Sequence, residues 1–200
     1  MFTLSCFFSS LDSNCTPHNV KQPRQLLSFN HTRNGPAIEI RAARPEDVDD
    51  ILQLIIDLAT YEKEPDSVKA TPELLRKNLF ETPYAHALLL FVGGAAKPVG
   101  LALYFFNYST WTGRPGLYLE DLYVSPECRG QGLGKALFAE LGRIAQEKNC
   151  ARLDWAVLKW NQPSIDFYEK SLAATPMSEW VGMRLEEDGI ENLKKMAPPP

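Results

Sequence analysis

Three closely spaced glycines carry the clearest chemical signal in this 200-residue sequence. They are Gly130, Gly132 and Gly134, which follow an apolar stretch ending at Val124 and lead into a helical pattern. Glycine lets the backbone approach a ligand closely because it has no Cβ. The free N–H groups at a helix N-terminus favour negative charge at the same place. The stretch therefore predicts a loop that binds phosphate groups.

Residue counts separate three kinds of phosphate-binding loop. A P-loop needs four residues between its glycines and a Ser or Thr after its lysine. Here only three residues lie between the outer glycines, and Ala136 follows Lys135. The dinucleotide pattern G-x-G-x-x-G fails because Lys135 stands at its third glycine. The pattern Q/R-x-x-G-x-G/A fits, through Arg129, Gly132 and Gly134.

Acidic, phenolic and amide side chains near this loop could take part in catalysis. Glu120 and Asp121 lie on the predicted strand before the loop, where alternation sends them to opposite faces unless a bulge intervenes. A carboxylate can act as a base and a phenol such as Tyr168 as an acid. The alternative interpretations are solvated or paired acids, packing of Phe167 and Tyr168, and Asn161 as a helix N-cap.

Composition excludes several classes of protein. Hydrophobic residues make up 44% and charged residues 23%, as in ordinary globular domains. The 25 acids and 21 bases give a net charge of −4, which does not favour a nucleic-acid partner. No run approaches the roughly 20 apolar residues of a membrane span. Without a C-x-x-C pair, and with only His86 in the predicted folded part, neither a metal site nor a disulfide framework is expected.

The elements that must position these residues follow a mixed α/β pattern. The predicted order is strand 37–42, helix 44–61, helix 71–80, strands 87–92, 98–108 and 117–124, helix 132–148, strand 152–158, helix 163–172 and a last strand pair at 175–185. Glycine-rich turns predict that the three middle strands are antiparallel neighbours. The strand, loop, helix and strand around the glycines form a β-α-β unit with parallel strands.

Several stretches resemble the diamine (spermidine/spermine) and thialysine branch of the GNAT N-acetyltransferases. They are residues 118–121, 129–134, 160–168 and 193–197. The order of elements over residues 38–194 resembles the same fold. The resemblance implies a central mixed sheet of about six to seven strands, antiparallel in its N-terminal part and parallel at the cofactor loop, with helices on both faces.

The resemblance also implies an activity and a set of site residues. The expected reaction transfers the acetyl group of acetyl-CoA to the primary amine of a small cationic acceptor, without a metal. Glu120 is expected to act as a base through water, and Tyr168 as the general acid. The expected cofactor-binding residues are Tyr123, Val124, Arg129, Gly130, Gln131, Gly132, Leu133, Gly134, Lys135, Asn161 and Tyr168. The expected substrate-binding residues are Tyr61, Glu62, Trp111, Glu120 and Asp121.

The sequence leaves some alternatives to this function open. A protein or peptide N-acetyltransferase and a non-catalytic CoA-binding module fit the same fold. The branch carries acidic and aromatic residues where this chain has Val181 and Met183, which puts spermidine in doubt as the acceptor. Residues 171–174 lack the usual glycine, so the preceding helix is expected to end differently.

The chain is expected to divide into three parts. Residues 1–36 are polar and aperiodic and predict a disordered extension, with mitochondrial targeting as the alternative. Residues 37–197 form the predicted acetyltransferase domain, and residues 198–200 a frayed tail. Cysteine usage favours a cytoplasmic location, and the family resemblance implies a homodimer.

Overall fold

A computed structural model describes residues 36–196 of the chain. Apart from Pro36, the predicted extension at 1–36 lies outside the described residues, as does the predicted tail at 198–200. The chain divides into two compact units, the first ending at Leu153 and the second beginning at Asp154.

The first unit is built around a sheet whose strand order follows the sequence. Its elements are β1 (Ile38–Ala42), α1 (Val48–Tyr61), α2 (Pro72–Arg76), β2 (His86–Val92), β3 (Gly100–Ser109), β4 (Arg114–Val124) and α3 (Leu133–Glu147), and β5 (Leu153–Trp155) begins at its last residue. Strands β1 to β4 pair antiparallel. The sheet order is β1-β2-β3-β4-β5, and β5 is parallel to β4. The predicted mixed topology is confirmed.

An ion pair joins β1 to the start of α1. Both terminal nitrogens of Arg41 donate to the carboxylate of Asp47, at 2.6 and 2.7 Å, and the backbone N–H of Arg44 donates to the same carboxylate at 2.7 Å. Burial of Asp47 opposes its ionisation, but these hydrogen bonds outweigh burial and lower its pKa. The Arg41 guanidinium also lies 4.7 Å from the ring centroid of Phe91 on β2. Together these contacts fix the direction in which α1 leaves the sheet.

Helices cover both faces of this sheet, as expected. The apolar stripe of α1 and the buried leucines that follow it pack on one face. This cluster contains Val48, Ile51, Leu54, Leu75, Leu79, Leu89, Phe91, Leu101 and Tyr123. Strand alternation turns Leu88 and Leu90 to the opposite face, and both are buried. There α3 packs against β2 and β4 through its own buried face, which comprises Leu133, Leu137, Leu141 and Ile144.

The second unit contains α4 (Gln162–Asp166) and α5 (Glu187–Leu193). A π-helical turn, Phe167–Ser171, continues α4, and the two together fill the predicted helix at 163–172. Helix α5 was not predicted. The sequence feature that favours this helix is the pair of acids in its first turn, Glu187 and Asp188, since negative charge stabilises a helix N-terminus.

The predicted last strand pair at 175–185 is wrong for the described residues, which form no strand there. Val181 is 80% exposed and Met183 is 90% exposed. Alternating residue types supply the side-chain pattern of a strand, but a strand also needs a neighbour to accept its backbone hydrogen bonds. No such neighbour lies within residues 36–196, so the sheet has five strands rather than six to seven.

The helix containing α4 ends on a left-handed residue. Ala173 has φ 55°, and the next residue, Ala174, donates its N–H to the carbonyl of Tyr168 at 3.0 Å. This is the conformation that glycine commonly adopts after a helix. At this helix end alanine therefore adopts the strained conformation in place of the usual glycine.

Relief of this strain is measurable. We expect Ala173→Gly to raise the free energy of unfolding by roughly 1 kcal/mol, since an L-residue pays about that amount in the left-handed region. Urea unfolding measures the change. Ala174→Gly is the matched control, because φ at that position is not positive, and we expect it to destabilise by up to about 1 kcal/mol. Equal effects of the two substitutions would contradict the strain at Ala173.

Candidate active site

A bulge in β4 determines where its two acids lie. Asp121 is opposite Leu103 on β3, whereas Leu119 is opposite Tyr104, so Glu120 is an extra residue without a partner of its own. An extra residue reverses which face the following side chains occupy. Leu119 therefore lies on the α3 face and Asp121 on the α1 face, although residues two apart on a regular strand share a face.

Asp121, on the α1 face of the sheet, interacts with two other carboxylates. Asp121 is half-buried, and burial, followed by the negative charges of Glu120 and Glu62, raises its pKa to about 6. Glu62 closes α1, where its N–H donates to the carbonyl of Leu58 at 2.9 Å, and burial raises its pKa as well. Glu120 is exposed. The structure thus brings together three of the expected substrate-binding residues, in an arrangement that favours a cation.

The backbone of the glycine loop is open. Gly130 has φ 78° and Gly132 has φ 81°, a region that other L-residues rarely adopt. A Cβ added at either position would meet no atom within 4 Å, so packing inside the protein does not explain the glycines. Gly132 caps the 15-residue helix α3, whose first hydrogen bond runs from the N–H of Ala136 to the carbonyl of Gly132 at 3.0 Å. The N–H groups of residues 133–135 therefore remain for an anion.

The remaining expected residues of the loop divide by exposure. Leu133 is buried and anchors the first turn of α3, and Gly134 is half-buried. Gln131 and Lys135 are exposed. The first turn of α3 contains no acidic residue that would oppose an anion. The loop therefore fits the pyrophosphate of a coenzyme.

Arg129 links the loop to the carboxylate side of the site. Its Nε donates to the carbonyl of Val124 at 2.8 Å. Its guanidinium carbon lies 4.6 Å from the ring centroid of Tyr61 and 5.8 Å from that of Tyr123. An expected cofactor-binding residue therefore contacts an expected substrate-binding residue. Sequence reasoning did not find this contact, because Tyr61 and Arg129 are far apart along the chain.

Trp111 is not brought together with these acids. It lies between β3 and β4 and is 87% exposed. Glu120 lies six residues along β4 from its first residue, Arg114, which corresponds to roughly 20 Å of strand. The role of Trp111 in acceptor binding stays a prediction.

The second unit holds Asn161 and Tyr168. Asn161 is buried, and its side-chain oxygen accepts a hydrogen bond from the N–H of Ser164 at 3.4 Å, so it caps α4. Tyr168 lies in the π-helical turn, and its ring meets that of Trp155 edge-on at 5.1 Å. π-Helical turns are frequent at functional sites. No feature of the sequence signals this turn, since a helical pattern does not distinguish it from an α-helix.

Two further findings concern residues 36–196. No group of three or more His, Cys, Asp or Glu side chains in this range is arranged to hold a metal ion. None of the helices in this range has the length and apolar character that a membrane crossing requires.

The fold and the loop agree with the comparison to known families. The model of the acetyltransferase (GNAT) family matches residues 49–173. This chain belongs to the GNAT acetyltransferase family, and it is an N-acetyltransferase.

Several of its relatives belong to the thialysine and diamine branch. The thialysine N-epsilon-acetyltransferase of Bos taurus is 42% identical over 166 residues, which cover 78% of this chain and 96% of that protein. The spermidine/spermine N(1)-acetyltransferase-like protein 1 of Homo sapiens is 36% identical over 165 residues, 80% of this chain and 24% of that protein. A solved structure, an integron cassette protein of V. cholerae, has a TM-score of 0.66 and 28% identity, covering 79% of this chain and 98% of its own. The resemblance seen in the sequence is confirmed.

The family uses acetyl-CoA, which allows a test of the loop. At a concentration about 100 times its Kd, coenzyme A should stabilise the protein by about 2.7 kcal/mol and raise Tm by roughly 5–10 °C. We expect Gly132→Val to abolish this rise, because its side chain occupies the open space above the helix N-terminus. Differential scanning fluorimetry measures the shift.

Gly113→Val is the matched control for this test. Gly113 has φ 65° and lies outside the loop, and a Cβ there also meets no atom within 4 Å, so the two substitutions carry similar backbone strain and differ in their relation to the loop. We expect the control to keep the full coenzyme A shift. A normal shift in Gly132→Val would show that the loop is a turn rather than a binding site.

The raised pKa of Asp121 leads to a pH-dependent effect on stability. The folded carboxyl keeps its proton to about pH 6, whereas an unfolded aspartate releases it near pH 4. Stability therefore falls as pH rises through this window, and the loss persists above it. We expect Asp121→Asn to remove this fall, gaining about 1–2 kcal/mol over wild type between pH 4 and pH 7. Urea unfolding at several pH values measures it.

Asp66→Asn is the control for the pH profile, since Asp66 is exposed and lies outside the carboxylate cluster. It should leave the pH profile of the wild type unchanged. Parallel profiles for wild type and Asp121→Asn would show that Asp121 does not carry the extra proton.

Proposed function

We propose that this chain transfers the acetyl group of acetyl-CoA to the primary amine of a small cationic acceptor of the thialysine, diamine or polyamine class. The observation that carries this proposal is the electrostatic interaction of Asp121, on the α1 face of the sheet, with Glu120 and Glu62. Negative charge at this position suits a cationic amine, and β4 runs from these acids to the glycine loop. The thialysine acetyltransferase named among the relatives supports the same acceptor class.

The donor side of the site is formed by the end of β4 and the glycine loop. Backbone N–H groups of residues 133–135 bind the pyrophosphate, and the open space at Gly130 and Gly132 admits it. The backbone at Tyr123 and Val124 binds the pantetheine arm, and Asn161 is kept as a predicted coenzyme-binding residue. When bound, acetyl-CoA supplies a thioester whose carbonyl an amine can attack.

The acceptor side must bind a cation and then remove its proton. A free alkylamine has a pKa near 10.4, so at neutral pH it arrives protonated. Asp121 and Glu62 stabilise that cation, and its charge in turn favours their ionised forms. Glu120 is the exposed member of the cluster, and it accepts the proton of the amine through water. Tyr168 donates its phenolic proton to the departing sulfur.

The acceptor is expected to be short. Val181 and Met183 replace the acidic and aromatic residues of the polyamine enzymes, and both are exposed and uncharged. A long polyamine would gain no ion pair from them. We therefore place thialysine-like amines ahead of spermidine. A homodimer, which the family resemblance implies, and a cytoplasmic location, which cysteine usage favours, complete the proposal.

A panel of acceptors tests this function. The purified chain is mixed with acetyl-CoA and thialysine, lysine, spermidine, a diamine or a lysine-containing peptide, and free thiol is measured. We expect thialysine to have the highest kcat/KM. Higher salt should raise its KM, because exposed charges are screened beyond about 8 Å at physiological ionic strength. Glu120→Gln should lower kcat/KM by about 10²-fold, as for loss of a general base.

Two controls make the panel specific. Glu81→Gln removes an exposed acid outside the cluster and should leave kcat/KM unchanged. Tyr168→Phe should lower kcat by about 10²-fold while the KM for acetyl-CoA changes only a few-fold, and Tyr84→Phe, at a 73% exposed tyrosine, should change neither. A preference for the peptide would favour the protein acetyltransferase alternative. Binding of coenzyme A with no thiol release from any acceptor would favour a non-catalytic module.

A further inference from the structure

The guanidinium of Arg129 lies between the donor and acceptor sides of the site. Its Nε is held by the carbonyl of Val124 at 2.8 Å, and its carbon lies 4.6 Å from the ring centroid of Tyr61. Arg129 begins the glycine loop, whereas Tyr61 ends α1 and directly precedes Glu62. One side chain therefore contacts elements of both sides.

We propose that Arg129 couples the two sides: an anion bound in the glycine loop fixes Arg129, and its contact with Tyr61 then orders the end of α1 that carries Glu62. The proposal rests on the proposed function for the identity of the two ligands. It assigns Arg129 and Tyr61 a positioning role in addition to any contact they make with a ligand.

The geometry of arginine permits both contacts at once. A guanidinium has five N–H donors in its plane and two faces above and below that plane. The hydrogen bond described for Arg129 uses Nε. Its terminal nitrogens can therefore donate to a phosphate oxygen while one face stays on the ring of Tyr61. A lysine ammonium has no plane, so it cannot donate from an edge to the phosphate while a separate face stays on the ring.

The contact should change on ligand binding because Arg129 is exposed. An exposed arginine loses side-chain entropy when it is held in one conformation. Once a bound anion has restricted Arg129, its contact with Tyr61 forms with less entropy to lose. Coupling of this kind is reciprocal, so an acceptor that orders Tyr61 and Glu62 must also tighten coenzyme binding.

Of the two tyrosine rings near Arg129, Tyr61 is the one whose position can become more ordered when Arg129 is fixed. Tyr123, the other ring near the guanidinium, is 6% exposed and packs in the α1 core, so its position is already fixed. Tyr61 is half-buried at the last residue of α1. Beyond it, the chain is held by the hydrogen bonds from Glu62 N to Leu58 O at 2.9 Å and from Lys63 N to Thr60 O at 3.1 Å. These amides report directly on the order of the helix end.

Hydrogen exchange tests the coupling without an acceptor. Exchange is measured by mass spectrometry on a peptide spanning residues 58–66, with and without saturating coenzyme A. We expect coenzyme A to slow it by about two- to fivefold, the factor that an exposed cation–π contact represents. Tyr61→Phe keeps the ring and should keep the slowing, whereas Tyr61→Leu should abolish it. Tyr84→Leu is the matched control and should behave as wild type.

Calorimetry tests the reciprocal effect. In wild type and Tyr61→Phe, coenzyme A should tighten thialysine binding by a similar two- to fivefold factor. In Tyr61→Leu and Arg129→Lys the factor should fall to about one. If thialysine does not bind to wild type, the exchange result decides alone.

The outcomes separate this inference from the function on which it rests. Failure of wild type to bind coenzyme A would contradict the proposed function. Normal binding without slower exchange at 58–66 would overturn the coupling alone. Slowing that persists in Tyr61→Leu, or that is lost in Tyr61→Phe, would also overturn it. The same holds if Tyr61→Leu weakens coenzyme A binding more than a few-fold, because the ring would then be part of the donor site.

Discussion

Glu120 is an extra residue in β4 between Leu119 and Asp121. This bulge determines on which face of the sheet every later side chain of the strand lies. On a regular strand, Asp121 and Tyr123 would share the α3 face with Leu119. The extra residue turns them to the α1 face, where Tyr123 enters the core and Asp121 meets Glu62. The position of the carboxylate cluster and the surroundings of Arg129 both follow from this one change of register.

The acids of the carboxylate cluster repel one another, and protonation of Asp121 reduces this repulsion at low pH. Burial and two neighbouring acids hold a proton on Asp121 to about pH 6. A bound cation relieves this repulsion, since opposite charge favours the ionised carboxyl. In the proposed function, the same negative charge would also stabilise the protonated amine and so oppose its deprotonation. Because Glu120 is exposed, it would remove the proton as a base without adding to the buried charge.

The sequence predicted the elements whose patterns are local and periodic. The stripe of α3 and the apolar runs of β2 and β3 led to the correct antiparallel and β-α-β arrangement. Features that depend on contacts between distant residues were not predictable in this way. Alternation allowed a bulge in β4 but could not say that Glu120 is the extra residue. Residues 175–185 have the alternation of a strand and still form none in the described chain, because side-chain pattern does not supply a hydrogen-bonding neighbour.

Charge is separated between the bulge of β4 and the loop that follows the strand. Glu120 and Asp121 lie at the bulge, whereas the free N–H groups of α3 and the guanidinium of Arg129 lie beyond the end of the strand. The cationic acceptor and the anionic donor of the proposed function would therefore be attracted to different parts of one continuous segment. Of the two cations in residues 125–135, Arg129 lies nearer to the end of β4 than Lys135 does. Its contact with Tyr61 uses the π-face of the ring rather than a carboxylate. It can thus serve the donor side without neutralising Glu62, whose negative charge the proposed acceptor would require.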